Sequence, residues 1–302
     1  MENKKKHIIQ LAEKNGMIIN GETLQINESG LDFQVAFAKD QNGEQWVLRL
    51  PRRKDVIPSI QKEKQILKLA AEQVRVEVPE WKVCTDELIA YKRLTGKPAG
   101  TVDHEIQNYV WEIDLENIPE VFHQTLGEAL VPLHRTNGET VAGHGLTVIK
   151  ADKLRETMKT RMDKVKAEFG VSRELWSRWQ TWIDNEALWP KQEAFVHGDL
   201  HAGHILIDES TKVTGFIDWT EAYAGDPAVD FVSHYRTFGE EALHKLIHHY
   251  QKAGGYVWPH MAEHVIELTA AYPVELAEFA IRSGSEEYLE MTRQVLGAGE
   301  EK

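Results

Sequence analysis

The feature that most restricts the fold is a short β-like segment, residues 193–231, which lies between long stretches of helical periodicity. Within it, residues 205–207 and 213–217 are apolar runs joined by the polar turn sequence Asp-Glu-Ser-Thr-Lys. This pattern predicts a β-hairpin set into a helical lobe, with Ile207 opposite Val213. In that register, the polar residues at the open end of the hairpin come together.

Three polar side chains meet at that open end: Asp199 on the preceding loop, His204 at the start of the first strand, and Asp218 at the end of the second. Phosphoryl transfer needs one carboxylate to orient the attacking hydroxyl and further ligands to hold the Mg²⁺ that bridges the nucleotide phosphates. Protein kinases place a metal-binding Asn five positions after the catalytic Asp, and a second metal-binding Asp after a short hairpin. Asp199 and His204 are five positions apart, and Asp218 follows fourteen positions later. We predict that Asp199 is the catalytic base and that His204 and Asp218 bind the metal.

The composition argues against several other classes of function. The chain has 302 residues, too many for one small core and suited to two lobes. Its formal net charge of −13 opposes binding to nucleic acid and to anionic membrane surfaces. The single cysteine, Cys84, permits no internal disulfide. No run approaches the ~20 apolar residues of a membrane span, and the N-terminal apolar run is too short for a signal peptide, so we expect a cytoplasmic protein. We also expect the protein to be a monomer.

The sequence pattern changes at Gly96 and Pro98. Residues 1–95 mix short helices and strands, and the alternation over 33–50 predicts an antiparallel hairpin. Residues 96–302 are mainly helical. We therefore predict an α+β fold, with a small β-rich N-terminal lobe that binds nucleotide and a larger helical lobe that holds the catalytic loop, metal site and acceptor pocket.

A charged pair is predicted inside the N-terminal lobe. Glu63 falls on the apolar face of a predicted helix, between Ile60 and Leu67. A carboxylate on a buried face needs a counter-charge, and Arg49 on the return strand of the hairpin is the natural partner. An Arg side chain can hold two phosphate oxygens at once. We interpret Arg49 as a phosphate-binding residue held by Glu63; the alternative is an ordinary salt bridge.

Several motifs resemble one superfamily of small-molecule kinases. The sequence His197-Gly-Asp-Leu-His201 is similar to the catalytic loop of the aminoglycoside phosphotransferase and choline kinase superfamily. Ile217-Asp218-Trp219 is similar to its metal-binding segment, and Asp226-Pro-Ala-Val-Asp230 to the stretch that follows. The resemblance implies a bilobal, protein-kinase-like fold in which His197 and Asp230 support the catalytic loop.

The residue at position 204 indicates one family within that superfamily. Most members have Asn at this position, whereas a His here resembles the sequences of the macrolide 2′-phosphotransferases. Further stretches that resemble this family are residues 27–33, 46–53, 87–91, 238–241 and 284–288. The resemblance implies transfer of the γ-phosphate of GTP, in preference to ATP, to the 2′-hydroxyl of the amino sugar of a macrolide, and hence antibiotic resistance.

The same resemblance suggests where the nucleotide binds. In such kinases the segment between the lobes offers backbone groups to the purine, and here that segment includes Ala90, Tyr91 and Lys92. Ser29 precedes the first strand of the hairpin, where a phosphate-covering loop is expected. Neither a G-x-G-x-x-G loop nor a P-loop is present in the sequence.

The acceptor is expected between Asp199 and the C-terminal helices. Tyr272 and Phe279 are candidate contacts, because a macrolide is large and mostly apolar and suits an apolar wall. Their alternative role is in the helical core. Three histidines fit a general base less well than Asp199 and are interpreted as structural: His134, His201 and His234.

We expect Mg²⁺ as the metal, with Mn²⁺ as the alternative. Mg²⁺ prefers oxygen ligands, whereas imidazole suits softer metals. His204 therefore either ligates the metal directly, acts through a water molecule, or only hydrogen-bonds the loop.

Three other functions stay open. The same fold serves other hydroxyl acceptors, such as an aminoglycoside, a methylthiosugar or an amino alcohol, and a substrate panel separates these. A pseudokinase would bind nucleotide without turnover, against which the intact Asp199 and Asp218 argue. An unrelated helical binding protein would bind no nucleotide at all.

Overall fold

A computed structural model describes residues 2–28, 32–103 and 108–297, which form ten α-helices and twelve β-strands. The helices are α1 (Glu2–Lys14), α2 (Ile57–Gln73), α3 (Glu120–His134), α4 (Gly138–Gly143), α5 (Ala151–Phe169), α6 (Arg173–Asp184), α7 (Val229–Lys252), α8 (Met261–Ala270), α9 (Tyr272–Ser283) and α10 (Glu286–Val295). The strands are β1 (Ile19–Asn27), β2 (Phe33–Asp40), β3 (Gln45–Pro51), β4 (Trp81–Cys84), β5 (Ile89–Lys92), β6 (Lys97–Pro98), β7 (Gly100–Asp103), β8 (Asn108–Trp111), β9 (Ala194–Val196), β10 (Ile205–Ile207), β11 (Val213–Phe216) and β12 (Tyr223–Gly225).

The N-terminal part is a five-stranded antiparallel sheet with the order β1-β2-β3-β5-β4. The predicted hairpin over 33–50 is confirmed as β2 and β3, with Val35 opposite Arg49. The sequence pattern did not reveal β1. Only Ile19 and Leu24 are buried along this strand, and its pairing shifts between Asn20 and Gln25, so it lacks a regular alternation.

The two faces of this sheet pack against different helices. Leu48 and Leu50 of β3 belong to the cluster that includes residues of α1, whereas Val47 belongs to the cluster that includes Ile60 of α2. Successive side chains of a strand point to opposite faces. Arg49 therefore lies on the same face as Val47, toward α2.

The C-terminal part is helical around one large apolar core. Its largest fully buried side chains include Trp179, Trp182 and Trp219. The predicted α+β, kinase-like fold is confirmed: a β-rich sheet precedes a mainly helical part.

Within the described ranges, no helix has both the length and the apolar character needed to cross a membrane.

The predicted catalytic hairpin is β10 and β11, with Ile207 opposite Val213 as expected. A bulge at Thr214 then shifts the pairing by one residue. The cause lies outside the hairpin, because the Thr214 carbonyl accepts a hydrogen bond from the Glu77 amide and its hydroxyl donates to the Thr95 carbonyl. On its other side β10 pairs with β6, so the chain crosses to the catalytic sheet directly after Gly96.

Candidate active site

The catalytic loop connects β9 to β10 and is held by one buried carboxylate. The backbone amides of His197 and Gly198 donate to the two oxygens of Asp230, each over 2.9 Å. Gly198 has a φ of 85°, and a Cβ atom there would lie 2.4 Å from the Glu221 carbonyl oxygen, so only glycine fits. These contacts fix the backbone immediately before Asp199.

His204 has a defined tautomer. Its Nδ1–H donates to the Asp199 carbonyl over 2.8 Å, which leaves the lone pair on Nε2. That Nε2 lies 3.7 Å from Oδ2 of Asp218, and Nδ1 lies 3.6 Å from Oδ2 of Asp199. A histidine whose second ring nitrogen donates to a backbone carbonyl is typical of metal ligands. The lone pair and the carboxylate therefore suit a shared divalent cation.

Asp218 is held in an unusual backbone conformation. Its φ of 60° is uncommon for a residue other than glycine, and such conformations cluster at functional sites. Burial alone would raise the pKa of its carboxyl, but the neighbouring His204 and Arg49 hold that pKa below its ordinary value. Asp218 is therefore a carboxylate at neutral pH, as a metal ligand must be.

His201 is close to the same centre. Ligand atoms of Asp199, His201 and His204 all lie within 4.8 Å of one another. The Nδ1 of His201 accepts a hydrogen bond from the Gly203 amide, so its proton is on Nε2 and it offers no free lone pair. Burial, with His204 nearby, lowers the pKa of His201 to about 4. His204 and Asp218 are therefore the better-matched ligands.

A cavity of about 340 Å³, the candidate nucleotide site, lies between the two parts of the fold. Arg49, His204 and Asp218 all line it. The Nη1 of Arg49 lies 2.6 Å from Oε1 of Glu63, so the predicted pair forms. The Arg49 guanidinium also lies over the ring of Phe33, 4.3 Å from its centroid.

The segment between the lobes contributes unevenly to this cavity. Tyr91 lines it, and burial raises the pKa of its phenol to about 12. Ala90 instead packs in the cluster shared with α1, and the Lys92 ammonium pairs with Glu44. Arg93 and Leu94, the next two residues of the same segment, also line the cavity. Ser29 lies outside the residues that the structure describes.

A second cavity, of about 630 Å³, lies on the other side of the catalytic loop. Asp199 lines this cavity and is 49% exposed, while His204 and Asp218 line the first cavity, the candidate nucleotide site. The two cavities therefore meet at the catalytic loop, with the proposed proton acceptor on one side and the proposed metal ligands on the other.

Comparisons with known proteins agree with this geometry. Residues 23–264 match the phosphotransferase enzyme family. The chain belongs to this family. It is therefore a phosphotransferase, with the kinase-like fold of that family.

Relatives of this phosphotransferase match it over nearly its whole length. Macrolide 2′-phosphotransferase MphH from Brachybacterium faecium is 33% identical, with a TM-score of 0.92 over 99% of this chain and 100% of that chain. Macrolide 2′-phosphotransferase type I is 35% identical, with a TM-score of 0.90 over 98% and 97% of the two chains. The uncharacterized protein YcbJ of Bacillus subtilis (strain 168) is 43% identical over 290 residues, which are 96% of this chain and 95% of that protein. The resemblance drawn from the sequence motifs is confirmed.

In this phosphotransferase, Tyr272 and Phe279 both line the cavity beside Asp199, as the sequence analysis expected for the acceptor. Tyr272 is 39% exposed, and Phe279 packs edge-on against Tyr288, with ring centroids 4.8 Å apart. Both side chains are therefore available to the cavity rather than enclosed in the helical core.

Charged residues of the acceptor cavity were missed from the sequence. Glu275 and Glu278 line it, and Glu278 forms a two-pronged ion pair with Arg161 over 2.8 and 2.7 Å. A signal was available, because Glu275 lies three positions after Tyr272 and four before Phe279, on one face of α9. The protein atoms around its carboxyl raise the pKa of that group above the ordinary value, although the side chain keeps contact with solvent.

Proposed function

We propose that this phosphotransferase transfers the γ-phosphate of GTP to the 2′-hydroxyl of the amino sugar of a macrolide. One observation carries the proposal: Asp199 faces one cavity, while His204 and Asp218 face a second. The His204 ring lies between the two carboxylates, 3.6 Å from an oxygen of Asp199 and 3.7 Å from an oxygen of Asp218. Such an arrangement lets an acceptor hydroxyl and a nucleotide phosphate approach from opposite sides, as an in-line transfer requires.

Each residue has one part in this proposal. Asp199 orients the acceptor hydroxyl and accepts its proton as the hydroxyl oxygen bonds to the γ-phosphorus, while the bond from that phosphorus to the bridging oxygen of GDP breaks and GDP leaves. His204 and Asp218 hold the divalent cation, Mg²⁺ or Mn²⁺, which neutralises charge on the nucleotide phosphates when bound. Arg49, steadied by Glu63, binds phosphate oxygens from the N-terminal sheet.

The acceptor cavity supports a large acceptor that carries an amine. Tyr272, Phe279 and Tyr288 provide aromatic surface for an apolar ring, while Glu275 provides a carboxylate for a cationic substituent. The full-length likeness to two macrolide 2′-phosphotransferases, at 33% and 35% identity, favours a macrolide over the other acceptors. GTP as donor is what the resemblance in sequence implies.

A coupled GDP-release assay tests the proposal, with GTP, Mg²⁺ and erythromycin as the reference mixture. ATP replaces GTP in one parallel reaction, and kanamycin replaces erythromycin in another. We expect GDP release that depends on erythromycin. GDP release stimulated only by another hydroxyl compound would keep the mechanism and reject the macrolide as acceptor. Release of ADP from ATP, with no release of GDP from GTP, would reject GTP as donor.

A further inference from the structure

One cation that lines the candidate nucleotide site has no part in the proposed phosphoryl transfer. The Arg93 side chain lines this cavity, and its Nη1 donates to Oε1 of Gln45 over 3.2 Å. Among the residues that the structure describes, this is the only hydrogen bond of the guanidinium, and no carboxylate pairs with it. Arginine has five N–H donors and no acceptor, so most of its donors remain for a ligand.

The N-terminal sheet places Arg93 on its cavity side. The Arg93 amide donates to the Gln45 carbonyl over 2.9 Å, which extends the pairing of β3 with β5 by one residue. Alternate residues of a strand share a face, so Arg93 lies on the same face as Tyr91, which also lines the cavity. The guanidinium carbon lies 5.4 Å from the centroid of the Phe37 ring. Gln45 and Phe37 therefore orient the Arg93 side chain.

Two arginines mark the two ends of the cavity. Arg49 is opposite Ile89, which lies four residues before Arg93. At about 3.3 Å per residue, the two arginines are about 13 Å apart along the sheet. Arg49 lines the cavity together with Asp218, at the end proposed for the phosphates. A nucleotide bound there by its phosphates has its base toward Arg93.

Apolar side chains line the cavity between the two arginines. Phe37 and Val47 line it from the N-terminal sheet, while Leu206 of β10 and Ile217, just after β11, line it from the C-terminal part. Two apolar surfaces suit the faces of a flat purine ring. The polar edge of that ring then remains for Arg93 and for the backbone of the segment between the lobes.

The donors of Arg93 match one purine better than the other. Guanine presents two neighbouring acceptors, O6 and N7, which an arginine fork can contact together. Adenine presents N7 beside the N6 amino group, which is a donor. Because a guanidinium only donates, it pairs with both groups of guanine but meets a second donor on adenine.

We propose that Arg93 is a specificity-determining residue that contacts the base of the phosphate donor. Its guanidinium, oriented by Gln45 and Phe37, donates to O6 and N7 of guanine and thereby favours GTP over ATP. The inference rests on the proposed function for the identity of the donor, and it adds the side chain that selects the base.

The test measures the dissociation constants of four nucleoside diphosphates by calorimetric titration in the presence of Mg²⁺, without any acceptor. Inosine diphosphate keeps O6 and N7 but lacks the 2-amino group of GDP, 7-deaza-GDP lacks N7, and ADP has the N6 amino group. The proteins are the wild type, R93M, R93K, Q45A and the control K39M. Lys39 is an exposed cation opposite Gln45 in the sheet and does not line the cavity.

We expect the wild type to bind GDP and inosine diphosphate with similar affinity, and 7-deaza-GDP and ADP more weakly. R93M should weaken the binding of GDP and inosine diphosphate about tenfold and leave that of ADP unchanged. Tenfold is near the low end for a bidentate contact of arginine with guanine, because Arg93 is exposed to solvent. R93K keeps the charge but not the fork and should recover only part of the loss, and Q45A should also lose part of the preference. K39M should bind all four ligands as the wild type does.

An equal loss of GDP and ADP affinity in R93M would overturn the proposal, since a general attraction of the cation for phosphates predicts no difference between the bases. Unchanged affinities in R93M, or full recovery in R93K, would overturn it as well. A wild type that binds ADP as tightly as GDP contradicts the proposed donor instead. In that case the contact with N7 is still tested, because the weaker binding of 7-deaza-GDP should disappear in R93M.

Discussion

Nη1 of Arg49 lies 2.6 Å from Oε1 of Glu63, in a pair whose side chains are 9% and 1% exposed. Oε2 of Glu63 has no hydrogen-bond partner among the described residues, and burial raises the pKa of this carboxyl. An ion pair buried this deeply contributes little net stability, because removing both charges from water costs as much as their attraction returns. The proposed function gives this pair a role, which is to present the guanidinium to nucleotide phosphates.

Separating stability from function at this pair needs a double variant. R49M should destabilise the protein by about 3–5 kcal/mol, because it leaves a buried carboxylate without a counter-charge. R49M/E63L should recover much of that loss while still failing to bind GDP. Denaturant unfolding and calorimetric titration with GDP measure the two properties. GDP binding by the double variant at wild-type affinity would remove Arg49 from the phosphate site.

An exposed ion pair serves as the reference for this experiment. Arg178 and Glu267 form a two-pronged pair in which Arg178 is 48% exposed. R178M should therefore cost less than about 1 kcal/mol. A cost equal to that of R49M would mean that burial is not what makes the Arg49 pair sensitive.

Replacing Asp199 tests the proton acceptor. D199N keeps the shape of the side chain but removes its basicity, so turnover should fall at least about 100-fold with little change in GDP affinity. Single-turnover kinetics with erythromycin measure the first, and calorimetry the second. E209Q is the control, because it removes the same charge in the exposed turn between β10 and β11. It should leave turnover and GDP affinity unchanged. Retained turnover in D199N would count against the whole assignment.

The nitrogen ligand of the metal site gives a spectroscopic prediction. His204 offers Nε2 beside Asp218, so Mn²⁺ bound with nucleotide should show nitrogen coupling in pulsed electron paramagnetic resonance. H204N should abolish that coupling and raise the affinity for Mg²⁺ relative to Mn²⁺, because an amide oxygen is a harder ligand. H201N should leave the coupling in place. Coupling lost in H201N and kept in H204N would exchange the roles of the two histidines.

Glu275 is expected to recognise a cationic acceptor. E275Q removes the charge and should raise KM for erythromycin about tenfold, equivalent to ~1.4 kcal/mol, without changing KM for GTP. Steady-state kinetics with each substrate varied in turn measure this separation. E116Q, in the exposed loop before α3, removes an equal charge at a residue that does not line the cavity. A similar rise in KM for both variants would indicate a general electrostatic effect of an acidic protein.

The parts of the site that sequence analysis could predict are those fixed by local rules. Ile207 opposite Val213 follows from two apolar runs and a polar turn between them. The pairing of Arg49 with Glu63 follows from a carboxylate on an apolar helix face, which has few ways to be satisfied.

The parts that escaped depend on contacts between distant segments. The bulge at Thr214 requires the Glu77 amide and the Thr95 carbonyl, neither of which the hairpin sequence can reveal. Glu275 is one of 48 acidic residues, and only the position of α9 beside Asp199 distinguishes it. The contacts of Asp230 with His134 and of Asp226 with His264 join residues more than thirty positions apart, so no local pattern relates them.

A second group of histidines gives a prediction about stability. His123 and His234 are 0% and 4% exposed, their ring centroids are 5.2 Å apart, and within the described residues none of their ring nitrogens has a hydrogen bond of normal geometry. Burial lowers the pKa of His123 to about 4, and burial together with His123 lowers the pKa of His234 to about 3. Both are therefore neutral in the folded protein at physiological pH, and each leaves polar atoms unsatisfied.

The sign of the pH dependence follows from these values. Between about pH 6.5 and the lower pKa values of the folded state, the unfolded chain binds more protons than the folded one. Stability therefore rises with pH through this window. The contribution of the two histidines is complete above the unfolded pKa and is lost as the pH falls toward 4.

H234L should stabilise the protein at pH 7 by about 1 kcal/mol, because it replaces an unsatisfied polar group with an apolar one of similar size. It should also reduce the loss of stability between pH 7 and pH 5. Urea unfolding at the two pH values measures both effects. H248L removes a histidine from the exposed face of the same helix and should change neither. A steeper loss of stability at pH 5 in H234L than in wild type would show that His234 gains a proton on folding, which its burial among Phe122 and Phe238 opposes.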